Sequence, residues 1–493
     1  MATIHVVVGQ SVHRLQACDG ARLSEVLRDA GFLTEAPCGG RGTCGKCRVL
    51  ADGREVLACR TLVRDGMQVE PAAEDRGTAI LSDGPASPIL PDGRDAYGIA
   101  FDVGTTTLVA YLLDGATGAV LSTASCLNPQ KQFGADVISR IQYAQRGGAE
   151  RLRIVISQAL SDLSRQTARA AGIRTEQVTA ACAVGNTAMH HLLLGIETDT
   201  LTAPPYMPKV FEACTLAAGP LIPALPNAAL RVLPNIAGFV GADTVSCMEA
   251  VSFDRQEQLT LLLDIGTNGE MVLGDRHRRI ACSTAAGPAF EGANIACGMR
   301  GALGAIDHVS EQDGELNCHV IGETAAAGLC GSGLIDAVHH LLKRGQIAAN
   351  GRITSSLCTR DAKGHKILML RDNVYLSQLD IRQVQLAKSA IRAGIELMAQ
   401  QLNVRTEDIQ QVLLAGAFGN YMDPVSACGI GLLPACLLDR IVHVGNAAGA
   451  GAQACALREQ AFLHAVTLAK ETEFLELAAL PSFQDTYLRY LNF

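Results

Sequence analysis

One pattern occurs twice in this chain and limits what it can fold into. Tyr97 to Val103 reads as an apolar strand ending in Asp102-Val103-Gly104-Thr105-Thr106-Thr107. A strand over Leu108 to Leu113, a turn at Asp114-Gly115 and a third strand ending at Ser122-Thr123-Ala124-Ser125 follow. Far downstream, Thr260 to Ile265 is again an apolar strand, ending in Asp264-Ile265-Gly266-Thr267-Asn268-Gly269. A strand over Glu270 to Leu273, a turn at Asp275-Arg276 and a third strand ending at Ser283-Thr284-Ala285-Ala286 complete the copy. Asp102 precedes Ser122 by 20 positions and Asp264 precedes Ser283 by 19. Two β-meanders sharing an Asp-x-Gly-Thr first turn predict a duplicated α/β fold.

The turn itself has a chemistry. Glycine permits close backbone approach, and Thr hydroxyls and N–H groups bind phosphate oxygens. A carboxylate beside them can hold Mg²⁺ through its waters. Two such turns can face one triphosphate from both sides of a cleft. Val412-Leu413-Leu414-Ala415-Gly416-Ala417-Phe418-Gly419-Asn420 reads as a strand feeding a Gly turn suited to stacking against an adenosine. Together these strings resemble the superfamily of actin, sugar and acetate kinases and chaperone ATPases, whose fold is duplicated and ribonuclease-H-like. Over residues 96–460 the resemblance makes Asp102 to Thr107 the first phosphate motif, Asp264 to Gly269 the second, and Gly416 to Gly419 the adenosine motif. It implies that Asp102 and Asp264 handle Mg²⁺ and the attacking water, and that Thr105, Thr106 and Thr267 hold phosphate oxygens.

Other segments are read less sharply. Asp243, in Gly238-Phe239-Val240-Gly241-Ala242-Asp243, is either a further acid of the cleft or a helix N-cap. Ala183 to His191 reads as a strand, a tight turn and a helix lining the cleft. His190 and His191 are adjacent, not spaced i, i+4 as a helical metal pair requires, so packing or capping is favoured over a metal. Gly287 to Gly292 and Gly328 to Gly333, with Gly331 among the nucleotide-site candidates, are Gly-rich turns suited to nucleotide binding or hinging. Lys388 and Arg392 sit i, i+4 on a helix expected over Ile381 to Met398. Lys388 is expected to reach the nucleotide, whereas a solvated basic face is favoured for Arg392.

The N-terminal zone carries a different signature. Pro37-Cys38-Gly39-Gly40-Arg41-Gly42-Thr43-Cys44-Gly45-Lys46-Cys47-Arg48, followed by Leu57-Ala58-Cys59, is a C-x5-C-x2-C-x11-C pattern. Four thiolates in a Gly-rich loop suit an iron–sulfur cluster, with free backbone N–H groups to set its potential. A zinc ribbon prefers two C-x2-C knuckles, and only one is present. Cys38, Cys44, Cys47 and Cys59 are therefore the expected ligands of a [2Fe–2S] cluster, and Cys18 reads as a packed thiol. The segment resembles plant-type and adrenodoxin-type ferredoxin domains of β-grasp fold, although its first gap is one residue longer than the plant type and its last is short. A strand over Thr3 to Val8 and a helix over Ala21 to Ala30, stopped by Gly31, accompany it.

Between the zones, Pro71 to Asp95 has linker composition, with Pro71, Pro85, Pro88 and Pro91 among Gly, Ser and Asp. The expected division is a ferredoxin domain over 1–75, a linker over 76–95, and two ATPase subdomains over 96–245 and 246–493, with terminal helices free to return to the first. The net charge of -8 argues against nucleic-acid binding. Seventeen Cys spread along a chain with no secretory start, and no apolar run near ~18 residues, point to a cytoplasmic protein that crosses no membrane.

A one-electron carrier tethered to an ATPase suits coupling of ATP to an uphill electron transfer. The combination resembles the ATP-dependent reductive activators of corrinoid proteins. The strings above carry that resemblance, with Asn128-Pro129-Gln130 and Gly134-Ala135-Asp136-Val137-Ile138-Ser139-Arg140-Ile141. It implies reduction of Co(II) cobamide to Co(I) on a corrinoid protein of a methyltransferase system, a low-potential electron donor and a homodimer. The chain departs from the family in length, with a brief Pro-rich linker where the best-known members carry an extra linker and middle domain. The alternatives are a redox-regulated small-molecule kinase, a radical-dehydratase activator and a chaperone-like ATPase.

Overall fold

The computed structural model describes residues 1–8, 11–30, 32, 47–71, 89, 91–93, 96–361 and 364–493, and no side chain at 417. Cys38, Cys44, Gly31 and most of the Pro-rich segment lie outside the described residues. The first sheet joins β1 (Ala2–Val8), β2 (Ser11–Ala17), β3 (Arg48–Ala51), β4 (Arg54–Leu57) and β5 (Gln68–Pro71) in the order β2-β1-β5-β3-β4. Its pairs are antiparallel except β1 with β5. The helix Leu23–Asp29 buries Leu23 and Leu27 against Ile4, Val6, Val49 and Val69, the sheet-and-helix arrangement of a β-grasp. Cys18 is exposed, not packed as expected.

The repeat is visible in the next two sheets. β6 (Tyr97–Val103), β7 (Thr107–Asp114), β8 (Val120–Leu127), β9 (Val178–Val184), β10 (Cys214–Ala217) and β11 (Ala229–Val232) form a sheet of order β10-β11-β9-β6-β7-β8. β12 (Thr260–Ile265), β13 (Gly269–Gly274) and β14 (Arg279–Thr284) form a second meander. Three-stranded sheets of β15 (Ala305–Gln312), β16 (Glu315–Val320) and β17 (Gly328–Leu329), and of β18 (Thr359–Arg360), β19 (Lys366–Arg371) and β20 (Val374–Ser377), follow. β21 (Gln411–Ala415), β22 (Ile441–Gly445) and β23 (Glu473–Phe474) complete the order β22-β21-β12-β13-β14-β23. In both large sheets a parallel strand adds to the free edge of the first meander strand, and another adds to that one.

Strand periodicity arranges the layers. Ile99, Phe101 and Val103 of β6 pack outward, while Ala100 faces inward. Leu261, Leu263 and Ile265 of β12 likewise pack outward, with Leu262 inward. A shared inner core holds both inward faces against the helices Ala242–Ala250, Ala447–Leu457 and Glu459–Glu471. Small residues make the close fit possible: a Cβ at Gly451 would stand 2.0 Å from the Ser246 carbonyl oxygen. The Ala- and Gly-rich helix Ala447–Leu457 lies in this inner layer, and no helix among the described residues is long and apolar enough to cross a membrane. Helix Ala447–Leu457 packs on β6, so the chain does return to the first half. The division expected at 245 falls inside helix Ala242–Ala250, which belongs to the inner layer as a whole.

Candidate functional site

Alternation along the strands sets the site. Asp102 shares the inward face of Ala100, and Asp264 that of Leu262, so the two meanders aim their carboxylates at the same inner layer. Glu270 pairs with Asp264 across the second hairpin and shares the face of Val272. Asp243 enters from helix Ala242–Ala250, whose N-cap is Gly241. The capping reading of Asp243 is therefore set aside. Its backbone N–H donates to the Gly185 carbonyl at 3.2 Å, fixing it beside the first half.

Crowding of acids in a desolvated cleft shifts their titration. Burial pushes Asp102 up to about 6, against the hydrogen bond from Asn446. Asp264 also rises to about 6, through burial and then the charge of Asp102. Asp243 rises to about 7, through burial and its acidic neighbours, and Glu270 is raised well above the ordinary range for the same reasons. A site of this kind is completed by a cation. Among the described residues no group of three or more His, Cys, Asp or Glu side chains is placed to hold a metal ion by itself.

The first phosphate hairpin is held by the buried Asn128, the half-buried Asn186 and one guanidinium. Asn128 Nδ2 donates to the Gly104 carbonyl at 2.8 Å, and Asn186 Nδ2 donates to Thr105 Oγ1 at 2.8 Å. Arg140, fully buried, donates from Nη2 to the Thr105 carbonyl and from Nε to the Gly134 carbonyl at 2.9 Å. Burial lowers its pKa to about 9. In the second hairpin the Gly266 N–H donates to the Asn268 carbonyl at 2.8 Å. Thr106 Oγ1 and Thr267 Oγ1 both donate to Glu291, at 2.7 and 2.6 Å.

Glycines set the opposite wall. Gly416 has φ +80°, and a Cβ there would stand 2.3 Å from Asp264 Oδ1. The short helix Gly416–Tyr421 carries Phe418, which stacks on Phe290 at 5.0 Å and 7°. At Gly331 a Cβ would meet the Phe290 carbonyl at 2.0 Å and the Phe418 ring at 2.7 Å. Gly416 of the expected adenosine motif therefore lies against the second phosphate hairpin, whereas Gly419 packs on Leu414 of β21.

Lys388 is corrected. Its ammonium donates to the Asn492 carbonyl and lies 5.4 Å from the Phe493 ring centroid. It clamps the C-terminal tail and does not reach toward the hairpins. Arg392 pairs with Glu396 at 2.8 Å and covers Tyr490. His190 and His191 are buried, with 3.3 Å between their Nδ1 atoms, and His191 Nδ1 lies 2.9 Å from the Thr187 carbonyl, a packing role as expected. Sequence reasoning did not single out Glu270, Glu291, Asn446 or Asn186 as members of the site, although Glu291 and Asn186 lie in segments read as nucleotide-binding or cleft-lining turns. Glu270 left a local signal of its own, a charge inside an otherwise apolar strand.

Comparison with known proteins places this geometry. Residues 97–256 match the RACo middle region, and residues 258–493 match the C-terminal domain of RACo, the ASKHA domain. The middle region expected to be missing is therefore present, as the half that bears the first phosphate hairpin. The chain is 31% identical to the corrinoid activation enzyme RamQ of Eubacterium limosum, over 94% of this chain and 95% of that protein. It is 27% identical to a Co(II) methylated amine-specific corrinoid protein reductase of Methanosarcina barkeri, over 80% and 77%. A solved reductive activator for corrinoid, iron–sulfur protein superposes with TM-score 0.74 at 27% identity, over 100% of this chain and 98% of that one. With its doubled phosphate hairpin, acidic inner cleft and matches running to the last residue, the chain belongs to the RACo family of corrinoid activators.

Proposed function

We propose that this protein uses ATP to drive one-electron reduction of a corrinoid protein from Co(II) to Co(I), passing the electron through an N-terminal [2Fe–2S] cluster. The observation that carries the reading is the convergence of two Asp-x-Gly-Thr hairpins, one from each half, on a single acidic cleft. The relatives' names supply the substrate class.

Two of the four expected cluster ligands fit their task. Arg48 pairs with Leu57, so Cys47, just before β3, and Cys59, just after β4, emerge at the same end of the hairpin. The Ala58 N–H donates to the Cys47 carbonyl at 2.8 Å and holds these ends together. Both cysteines lie in the domain core, 2% and 5% exposed. Cys38 and Cys44 would supply the remaining thiolates.

When bound, the cluster supplies a one-electron carrier, and Mg–ATP supplies binding and hydrolysis free energy. Each ~59 mV of uphill gap costs about tenfold in a one-electron equilibrium. The chain's own part is positional. Asp102 and Asp264 would face the cation from the two halves, and Thr105, Thr106 and Thr267 would hold phosphate oxygens. Asn446 keeps Asp102 poised to ionise. Residues 1–75 would carry the cluster. A low-potential donor, a homodimeric assembly and a cytoplasmic site complete the proposal.

ATP turnover measured with and without a corrinoid protein separates this reading from a small-molecule kinase. Turnover that rises on adding the corrinoid protein supports it. Turnover that ignores the corrinoid protein and needs a small hydroxyl or carboxylate acceptor overturns it.

A further inference from the structure

Thr106 and Thr267 belong to opposite halves of the fold, yet their hydroxyls end on one side chain. Thr106 Oγ1 donates to Oε2 of Glu291 at 2.7 Å, and Thr267 Oγ1 donates to Oε1 at 2.6 Å. The turn that carries Glu291 is tightly fixed. It opens at Gly287 with φ 78° and closes at Gly292 with φ 77°. A Cβ at Gly292 would stand 2.4 Å from the Met299 carbonyl oxygen. Glu291 Oε1 itself lies 3.7 Å from where a Cβ on Gly266 would stand, flat against the second hairpin. The carboxylate is thus a tethered anion that takes one donor from each phosphate hairpin.

We propose that Glu291 is the residue by which this cleft distinguishes a nucleoside triphosphate from a diphosphate. The inference rests on the nucleotide reading of the cleft given above. The carboxylate clasps the two halves. Each Thr hydroxyl has one hydrogen to donate, so a terminal phosphate that takes both hydroxyls must displace Glu291. Two anions at one point also repel, which opposes joint occupancy. A diphosphate stops one phosphate short and leaves the clasp closed. Displacement acts on the turn that bears Phe290, whose ring stacks on Phe418 of the adenosine-motif helix. Release of the clasp is thereby felt on the opposite wall.

The test uses the full chain with its cluster and no corrinoid protein. Calorimetry gives Kd for Mg²⁺ with the β,γ-imido analogue of ATP and with ADP, for the parent, Glu291→Ala and Glu291→Gln. Loss of two charge-assisted hydrogen bonds in the empty state should tighten the analogue about tenfold in Glu291→Ala and leave ADP within about twofold. Glu291→Gln, which keeps the shape but can accept from only one hydroxyl, should fall between, and it carries the comparison if the alanine variant does not fold. An analogue Kd that is unchanged or weaker, or equal shifts for both nucleotides, overturns the proposal. A parent that binds neither nucleotide overturns the nucleotide reading itself, which is a distinct result.

Discussion

Asn446 Nδ2 donates to Asp102 Oδ2 at 2.8 Å, joining the cap of a C-terminal helix to the tip of the first phosphate hairpin. The same amide nitrogen lies 3.1 Å from the Tyr111 hydroxyl, and Asn446 Oδ1 accepts from the Gly449 N–H at 2.7 Å. The residue therefore caps a helix, braces the inner layer and opposes the burial-driven rise of the Asp102 pKa. Replacing it with Ala should cost about 1–3 kcal/mol of stability through the lost cap and unsatisfied partners. It should also move the acidic limb of the ATPase pH profile toward higher pH, because Asp102 would ionise later. Thermal unfolding and turnover between about pH 5.5 and 8 check both effects.

The raised carboxyls make a linkage prediction. Asp102 titrates near 6 in the folded chain, above its ordinary value of 3.8. The folded state thus binds this proton more tightly than the unfolded one. Its contribution to stability is complete below the unfolded pKa and is lost as pH rises through the folded value. Asp264, near 6, and Asp243, near 7, act in the same direction. Asp102→Asn removes one such group, so the stability of the variant relative to the parent should increase from about pH 4 to pH 7, by on the order of 3 kcal/mol at most. Parallel denaturation curves across that range would contradict the assignment. Mg²⁺ with nucleotide should stabilise the parent more at the alkaline end.

Cys59→Ala separates the two functions. The variant should lose the visible absorption and the electron paramagnetic resonance signal of the reduced cluster. It should retain the nucleotide Kd of the parent, because Cys59 lies in the core of the N-terminal sheet and not in the cleft. Retention of an intact cluster signal would remove Cys59 from the ligand set.

The duplication was legible because it is local: each meander repeats Asp-x-Gly-Thr within a short window, and β6 and β12 are continuous apolar runs of the kind buried on both faces. The acids Asp102 and Asp264 were legible for the same reason. Asn446 was not, since its partner lies 344 positions away and nothing near it in the chain marks the contact; for Glu291 the Gly-rich turn was legible but not the carboxylate's bond to Thr106, 185 positions away. Lys388 was misread because i, i+4 spacing with Arg392 defines a helix face without saying what covers it. The C-terminal residues Asn492 and Phe493 do. Asp243 was ambiguous because acids near a helix start serve as caps or as cleft ligands, and only the placement of Gly241 at the cap resolves it.

Nucleotide held by the two hairpins is expected to drive the electron step. The most direct test is anaerobic formation of Co(I) on a corrinoid protein, followed by absorbance, using cluster-loaded protein with excess reductant, with and without Mg–ATP, for the parent and Asp264→Ala. Co(I) should form with the parent only when Mg–ATP is present, and not with Asp264→Ala, whose cluster spectrum stays intact. Equal Co(I) formation without ATP, or by Asp264→Ala, would contradict it.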